Sequence, residues 1–432
     1  MTIAIFWFRN DLRLADNAAL AAACADADEL LLIYVRSPVN TMPTPWGFPR
    51  WGGHRLGFHD QALEGLGDEI DRRGGSLLLL DGHAHEVLPV VAKKFGVAKI
   101  FCEIIAAPEE IAQLTALREA GMEVHAIWQS SLLDLADLPF DIAGLPETFT
   151  NFRQAVERVD VSPRAALAAP EKLPPSPQPP QRSHGSAQPA ASSQPRLSFP
   201  FSDPAFDGSE TSALSHVVRY FGSSAPQSYK QTRNGLTGPG YSTKLSPWLA
   251  VGALSPRTVF QYLKAHEARV GANDSTYWIW FELLWRDYFR FWSLKHGARL
   301  FRAGGLGKLP PPRHDPDLFS AWCAGKTGHG FVDAGLRDLA ATGYLSNRMR
   351  QVVASYLVHD LACDWRAGAA WFENRLIDYD VCSNHGNWLY IAGRGADPRQ
   401  GRRFNPDKQA SDYDPDGAYR TFWGDPQIVQ AP

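Results

Sequence analysis

Ile3-Ala-Ile-Phe-Trp-Phe-Arg-Asn-Asp-Leu-Arg13 begins as an unbroken apolar run and ends in a cluster of charges. A continuous run with β-branched and aromatic members reads as a strand buried on both faces, the kind a parallel sheet requires. Similar runs recur at 29–35, 76–80, 99–102 and 124–128, with amphipathic stretches near 17–25, 54–73, 86–95 and 109–120 between them. Strands separated by single helices predict right-handed βαβ units and a mostly parallel sheet over residues 1–130, an α/β fold. Arg9, Asp11 and Arg13 then gather at the carboxyl end of the first strand, where open sheets place ligands. No Gly-x-Gly-x-x-Gly follows that strand, which argues against a nicotinamide site.

The pattern changes further along. Glu171-Lys-Leu-Pro-Pro-Ser-Pro-Gln-Pro-Pro180 and the Ser/Gln/Ala-rich stretch after it lack the apolar residues of a core. Residues 160–205 are therefore expected to be an extended, mobile linker inside a connector spanning 131–206. Beyond 207 the period turns helical, with helices expected over 211–221, 256–268, 275–296, 317–324, 331–343, 349–361 and 367–378. The second half, 207–432, reads as an all-α domain rich in tryptophan.

Composition narrows the function classes. A net charge of −3 over 432 residues gives no global nucleic-acid signature, so any basic surface is local. Five cysteines, odd in number and without metal-ligand spacing, point to a reducing compartment with no metal site and no disulfide framework. The N-terminus enters a strand without a charged leader, and no run approaches the length of a membrane span. The expectation is a soluble cytoplasmic protein with no membrane partner.

Chemistry concentrates in Asp378-Tyr-Asp-Val-Cys-Ser-Asn-His-Gly-Asn-Trp-Leu-Tyr390, behind Ser346-Asn-Arg-Met-Arg350. Two carboxylates and two Asn among aromatics cannot all be ordinary core residues, because buried polar groups need partners. They suit a flat, hydrogen-bonding ligand, with Arg350 as ion partner of Asp378; the plainer reading is a polar turn between helices. On the helix expected over 275–296, Trp278, Glu282, Trp285, Phe289 and Trp292 share one face. Glu282 is either paired with Arg286, four residues on, or a working acid in an aromatic wall fit for a nucleobase. Tyr241-Ser-Thr-Lys-Leu-Ser246 sets three hydroxyls and a cation before a helix, which suits a phosphate or simply caps the helix. Basic stretches over 286–313 and 394–408 flank the aromatic cluster and favour a polyanion across its mouth.

Taken together, these motifs resemble the photolyase/cryptochrome family, and more closely its DASH-type cryptochromes. The likeness also runs through Phe6-Trp-Phe-Arg-Asn-Asp-Leu-Arg-Leu-Ala-Asp-Asn17, Leu145-Pro-Glu-Thr-Phe-Thr-Asn-Phe-Arg153 and Thr232-Arg-Asn-Gly-Leu236. It implies a Rossmann-like antenna domain and a helical domain holding FAD. Tyr229, Ser242, Thr243, Lys244, Leu245 and Ser246 would hold the diphosphate and ribityl region; Asn347, Arg350, Asp378, Asp380 and Asn384 would surround the isoalloxazine. Glu282 and Trp285 would meet a flipped pyrimidine dimer, with Tyr390 as second wall. Arg233, Arg286, Asn347, Arg348 and Gln409 would lie near DNA. The implied reaction is light-driven repair of cyclobutane pyrimidine dimers by electron transfer from excited reduced flavin, in a monomer.

The resemblance has departures. Many dimer photolyases carry Trp where this chain has Tyr390, which implies weaker grip on an extruded dimer and a preference for single-stranded DNA. Trp388 and Trp365 match the first two members of the family's tryptophan chain, whereas the distal position falls on Pro312, so that either the terminal donor has moved, to Trp322 or a nearby Tyr, or photoreduction is inefficient. Methenyltetrahydrofolate is the implied antenna, but the usual Glu position falls on Ile105, with Glu103 as substitute. His385 replaces a more usual Asn or Trp. The absence of a long tail after Trp423 favours repair over signalling. The rival readings are a blue-light receptor that binds FAD without repair, and a nucleotide-binding α/β protein with an unrelated helical domain.

Overall fold

The computed structural model describes residues 2–177, 197–307, 309–395 and 401–424. All five expected strands form: β1 Ile3–Phe8, β2 Glu29–Arg36, β3 Leu77–Asp81, β4 Lys99–Glu103 and β5 Glu123–Ile127. They are parallel, in the order β3-β2-β1-β4-β5, with Ile5 of β1 opposite Leu31 on one side and Ile100 on the other. The continuous apolar pattern of β1 and β2 follows from cores on both faces. Phe6, Phe8, Leu30 and Leu32 pack on Phe58 and Leu66, while Ile5, Trp7, Leu31 and Ile33 pack towards Leu88 and Leu114.

The strand order reverses at β1, and the charges beyond it are engaged within the fold. Arg9 donates to the Glu103 and Glu110 carbonyls, both at 3.0 Å, and to Gln113. Arg13 donates to the carbonyls of Asp16 and Gly252 (2.9 Å for the latter). Gly252 belongs to the helical half, and its backbone approaches so closely that a Cβ would lie 1.9 Å from the Asn10 carbonyl. Further bonds join the halves. Asp287 accepts from the N–H groups of Leu132 and Leu133, each at 2.8 Å, Glu210 accepts from those of Leu14 and Ala15, and Arg257 pairs with the fully buried Asp16.

The connector departs from expectation where it is described. Residues 160–177 are extended but pinned: Asp16 N–H donates to the Leu167 carbonyl (2.8 Å), Leu173 N–H to that of Arg73 and Leu30 N–H to that of Pro175. Leu173 is buried in the α/β core. A Pro-rich segment builds no core of its own, but it can lie against loops, a helix end and the start of a strand and satisfy their free backbone groups. Most of the Pro/Ser/Gln-rich stretch lies outside the described residues. Phe199, on its far side, is fully buried against Phe58 and Trp248.

The helical half follows the predicted spans closely, with helices over Glu210–Gly222, Pro256–Val270, Asp274–His296, Pro316–Cys323, Gly330–Thr342 and Trp365–Arg375. The helix expected over 349–361 is Asn347–Ser355 followed by a wider π turn, Tyr356–Asp360. The segment read as motif or turn forms a helix, Val381–Ile391, capped by Asp380. Phe149–Arg158, Pro406–Tyr413 and Ala418–Gly424 are additional helices. No helix among the described residues is long and apolar enough to cross a membrane.

Glu103, at the end of β4, is fully enclosed, and both its carboxylate oxygens lack hydrogen-bond partners among the described residues. Burial, aided by Asp11, pushes its pKa up to about 8 against the pull of Arg290, Arg13 and Arg9. A carboxyl whose folded pKa is raised stabilises the fold below its unfolded pKa, and that stability is lost as pH rises through the folded value. Glu103→Gln is therefore expected to gain thermal stability relative to the parent chain as pH rises from about 5 to about 9. Parallel melting curves check this; a difference constant with pH contradicts it.

Candidate functional site

A cavity of about 490 Å³ opens within the helical half. Its walls are the 241–246 loop, the helix Asp274–His296, the start of Asn347–Ser355 and the turn at 378–380. A smaller cavity of about 120 Å³ shares Asn347, Arg350, Asp378 and Asp380 with it, and adds Asn384 and Trp388.

Asp378 is the hinge of this arrangement. Its Oδ2 accepts from Arg350 Nη2 at 2.8 Å and from Ser246 Oγ at 2.7 Å, while its Oδ1 is buried without a partner among the described residues. Ser246 thus spends its hydroxyl on Asp378 instead of capping the short helix Ser246–Val251. Asp380 caps Val381–Ile391 through Ser383 N–H (2.8 Å) and pairs with the buried Arg290 at 2.8 Å. Burial alone would raise the Asp380 carboxyl, but Arg290, Arg286 and the Ser383 N–H hold it below its ordinary value, hence ionised. Asn384 donates its amide to the Ala369 carbonyl at 3.1 Å, leaving its oxygen for the cavity. Two glycines allow the helices to close here: a Cβ on Gly386 would lie 2.1 Å from Phe289, and one on Gly368 would lie 2.2 Å from Trp388.

Lys244 occupies a left-handed backbone conformation, φ 56°, which turns its side chain into the wall. Its ammonium lies 3.1 Å from the Tyr241 ring centroid and has no hydrogen-bond acceptor among the described residues. Burial pushes its pKa well below the usual lysine range despite Asp338 nearby. A phosphate would restore both the missing acceptor and the charge.

On the opposite wall, the aromatic face places Trp278, Glu282, Trp285 and Phe289 on the cavity, whereas Trp292 turns into the core beside Tyr288 and His296. Glu282 is paired, but its partner is Arg233, which also lies over Trp278 at 4.8 Å. Arg286, expected to pair with Glu282 or to reach DNA, turns inward and donates to the carbonyls of Ser130 and Leu249. Burial raises the Glu282 carboxyl and Arg233 opposes that rise. Trp285 stacks flat on Phe149 (3.8 Å, 12°) and meets Tyr390 edge-on at 6.2 Å. Arg402 lies over Tyr390 at 5.0 Å.

The structure thus brings Tyr229, Arg233, Ser242 to Ser246, Glu282, Trp285, Arg286, Asn347, Arg350, Asp378, Asp380 and Tyr390 onto one cavity, and Asn384 and Trp388 onto its neighbour. Arg348 and Gln409 meet each other at 3.4 Å outside both cavities, with Arg348 also over Tyr413. Trp365 is buried away from both, its indole N–H on the Ala303 carbonyl. Tyr344, Gln351 and Ser383 line the cavity and were missed, while Asn387, the second Asn of the 378–390 stretch, also lines it. Helical spacing could have found one of them, because Gln351 is one turn beyond Asn347.

Residues 4–178 match the DNA photolyase family model, and residues 278–426 match the FAD binding domain of DNA photolyase. The chain belongs to the photolyase/cryptochrome family. Within it, the similarity runs to relatives named cryptochrome DASH. The Xenopus laevis protein is 44% identical, covering 98% of this chain and 82% of its own length. That of Vibrio parahaemolyticus is 43% identical, covering 98% and 93%. The crystal structure of the Synechocystis cryptochrome superposes with a TM-score of 0.92 at 40% identity, over 98% of this chain and 88% of that one. A bacterial class III photolyase from Agrobacterium tumefaciens gives 0.79 at 30% identity, over 97% and 86%.

FAD is the cofactor of this domain, and the unpartnered groups fit it: the cation of Lys244 for the diphosphate, and Asp378 Oδ1 and the Asn384 oxygen for ring donors. Asp378→Asn is expected to leave Arg350 without its counter-charge, costing about 3 kcal/mol, and to lower flavin retention. Melting temperature and flavin absorbance per protein measure the two effects; full flavin content at unchanged stability would contradict the assignment.

Proposed function

We propose that this chain is an FAD-dependent enzyme that uses blue or near-ultraviolet light to split cyclobutane pyrimidine dimers in DNA, preferring single strands. It would act as a cytoplasmic monomer. The observation that carries the reading is continuity: Glu282, Trp285 and Tyr390 stand on the same cavity as Lys244, Asp378 and Asp380. A flat, dimeric base placed against Trp285 would therefore lie beside whatever those polar groups hold.

When bound and reduced, FAD supplies the electron that opens the dimer and takes it back. The chain's own residues do the rest. Lys244 and the 242–246 loop would hold the diphosphate. Asp378, Arg350, Asp380 and Asn384 would fix the isoalloxazine in a pocket whose charges are already balanced, which is preorganisation without later rearrangement. Trp285, immobilised by Phe149 behind it, offers an aromatic face to the extruded bases.

Arg233 closes the acid in the free protein. A DNA phosphate could draw Arg233 away, because a guanidinium forks onto phosphate as well as onto carboxylate. Glu282 would then keep only the burial that raises its pKa, and so become a neutral O–H donor to a dimer carbonyl. Glu282→Gln keeps a donor, whereas Glu282→Ala is expected to slow repair about 100-fold.

The perpendicular, more polar Tyr390 grips an extruded dimer less firmly than an indole. Flipping from duplex costs about a few kcal/mol, so the weaker wall penalises duplex substrates first. The test is repair of a defined thymine dimer by chemically reduced protein under blue light, in single strands and in duplex. Faster single-strand repair, with Tyr390→Trp narrowing the gap, supports the reading. Equal rates on both overturn the strand preference. No repair on either, with reduced flavin bound, overturns the enzyme and leaves a photoreceptor.

A further inference from the structure

We propose that Glu103, at the end of β4, is a positioning residue for the bound flavin: acting through Arg290 and Asp380, its charge sets how readily the isoalloxazine is reduced. This rests on the flavin placement of the proposed function and deepens it. The chain after Glu103 runs from the sheet into the helical half, where Ile105, Ala106 and Ala107 are buried in its core. Cys382, two residues beyond Asp380, sets its Sγ 3.9 Å from the Ala106 carbonyl. The end of β4 thus abuts the segment that carries Asp380. Arg290 is common to both: it donates to Asp380 at 2.8 Å, its charge acts on Glu103, and its Nε is buried without an acceptor among the described residues.

Glu103 differs from the other carboxyls buried at this junction. Asp11 accepts from the Arg9 N–H at 2.7 Å and from the Gln129 amide at 2.9 Å. Asp287 accepts from two backbone N–H groups, and Asp380 from Ser383 and Arg290. Those donors favour the charged form. Glu103, fully enclosed, has none on either oxygen among the described residues. Read in the sequence as a substitute antenna ligand, it faces protein charges instead: Asp11, Arg9 and Arg13 from the loop after β1, and Arg290 and Arg286 from the helix Asp274–His296. Cys102, on its own strand, stays neutral, because burial pushes the thiol up to about 12. Arg9, Arg13 and Arg286 give N–H groups to backbone carbonyls of the fold, so Arg290 is the cation that Glu103 shares with the flavin site.

Full reduction adds two electrons and one proton to the ring, which leaves it with one more negative charge. A neutral Glu103 leaves the Arg290 charge to favour that change, and an ionised Glu103 opposes it. In a low-dielectric interior such charges act over longer distances than in water. Burial holds the Glu103 pKa up at about 8, so the carboxyl is neutral near pH 6 and mostly ionised near pH 9. The flavin potential therefore falls across this window by more than the ring's own proton uptake accounts for.

The test uses the full chain loaded with FAD. Reduction by dithionite is followed by flavin absorbance against dyes of known potential, from about pH 6 to about pH 9, in the parent, Glu103→Gln and Asp380→Asn. This window ends below Arg286, whose pKa burial brings down to about 10. At the acid end the parent and Glu103→Gln are expected to match. At the alkaline end the parent's ratio of reduced to oxidised flavin is expected to be about tenfold lower at the same solution potential, about 30 mV in a two-electron couple. Proton uptake by the ring is common to both and cancels in the difference. Curves that stay parallel overturn the proposal. Glu103→Met, equally uncharged, gives the same result if charge is the cause, and replaces Glu103→Gln if a buried amide without partners prevents folding. Asp380→Asn, which keeps a helix-capping side chain, is expected to raise the potential at both ends of the window. An Asp380→Asn potential equal to the parent's overturns the flavin placement and this proposal with it; a shift there with parallel Glu103 curves overturns this proposal alone.

Discussion

The Asp378 carboxylate, shared between Arg350 and Ser246, is the contact on which the cavity depends. It joins three segments distant in sequence: the start of the short helix Ser246–Val251, the helix Asn347–Ser355 and the turn into Val381–Ile391. Such a pair adds little net stability, because desolvating both charges offsets most of their attraction, but breaking it is costly. Its use here is positional. It leaves Asp378 Oδ1 buried and unpartnered, ready for a donor that the protein does not supply.

The same logic extends outward from Asp380. Arg290 neutralises it, and Glu103 of the α/β half lies within the electrostatic reach of Arg290. Asp287, on the same helix as Arg290, caps backbone groups at 132–133. One helix, Asp274–His296, therefore shows an aromatic and acidic face to the cavity and a charged face to the sheet domain. That dual burden explains why its basic stretch is only partly available to a polyanion: Arg286 and Arg290 are turned inward, and Lys295 is held by Glu147 and the Leu145 carbonyl.

The sheet was legible in the sequence because strands buried on both faces carry continuous apolar runs, and β1 to β5 each left one. The Asp378–Arg350 pair was legible because two buried charges in a polar-aromatic cluster need each other. The partner of Glu282 was misread: helical spacing sees only neighbours on one helix, and Arg233 comes from a separate turn of chain. The connector at 160–177 was misread for a related reason, since composition reports whether a segment can build a core but not whether it can lie on one. Phe149 behind Trp285 and Tyr344 across from Lys244 left no local signal, because tertiary packing alone gives them their roles.

The most direct measurement is a crystal structure of the chain with its flavin. The account predicts the diphosphate against Lys244 Nζ, the isoalloxazine between Asp378 and Asn384, and open space between that ring and Trp285. A flavin bound elsewhere, or one leaving Lys244 and Asp378 Oδ1 still unpartnered, would contradict it.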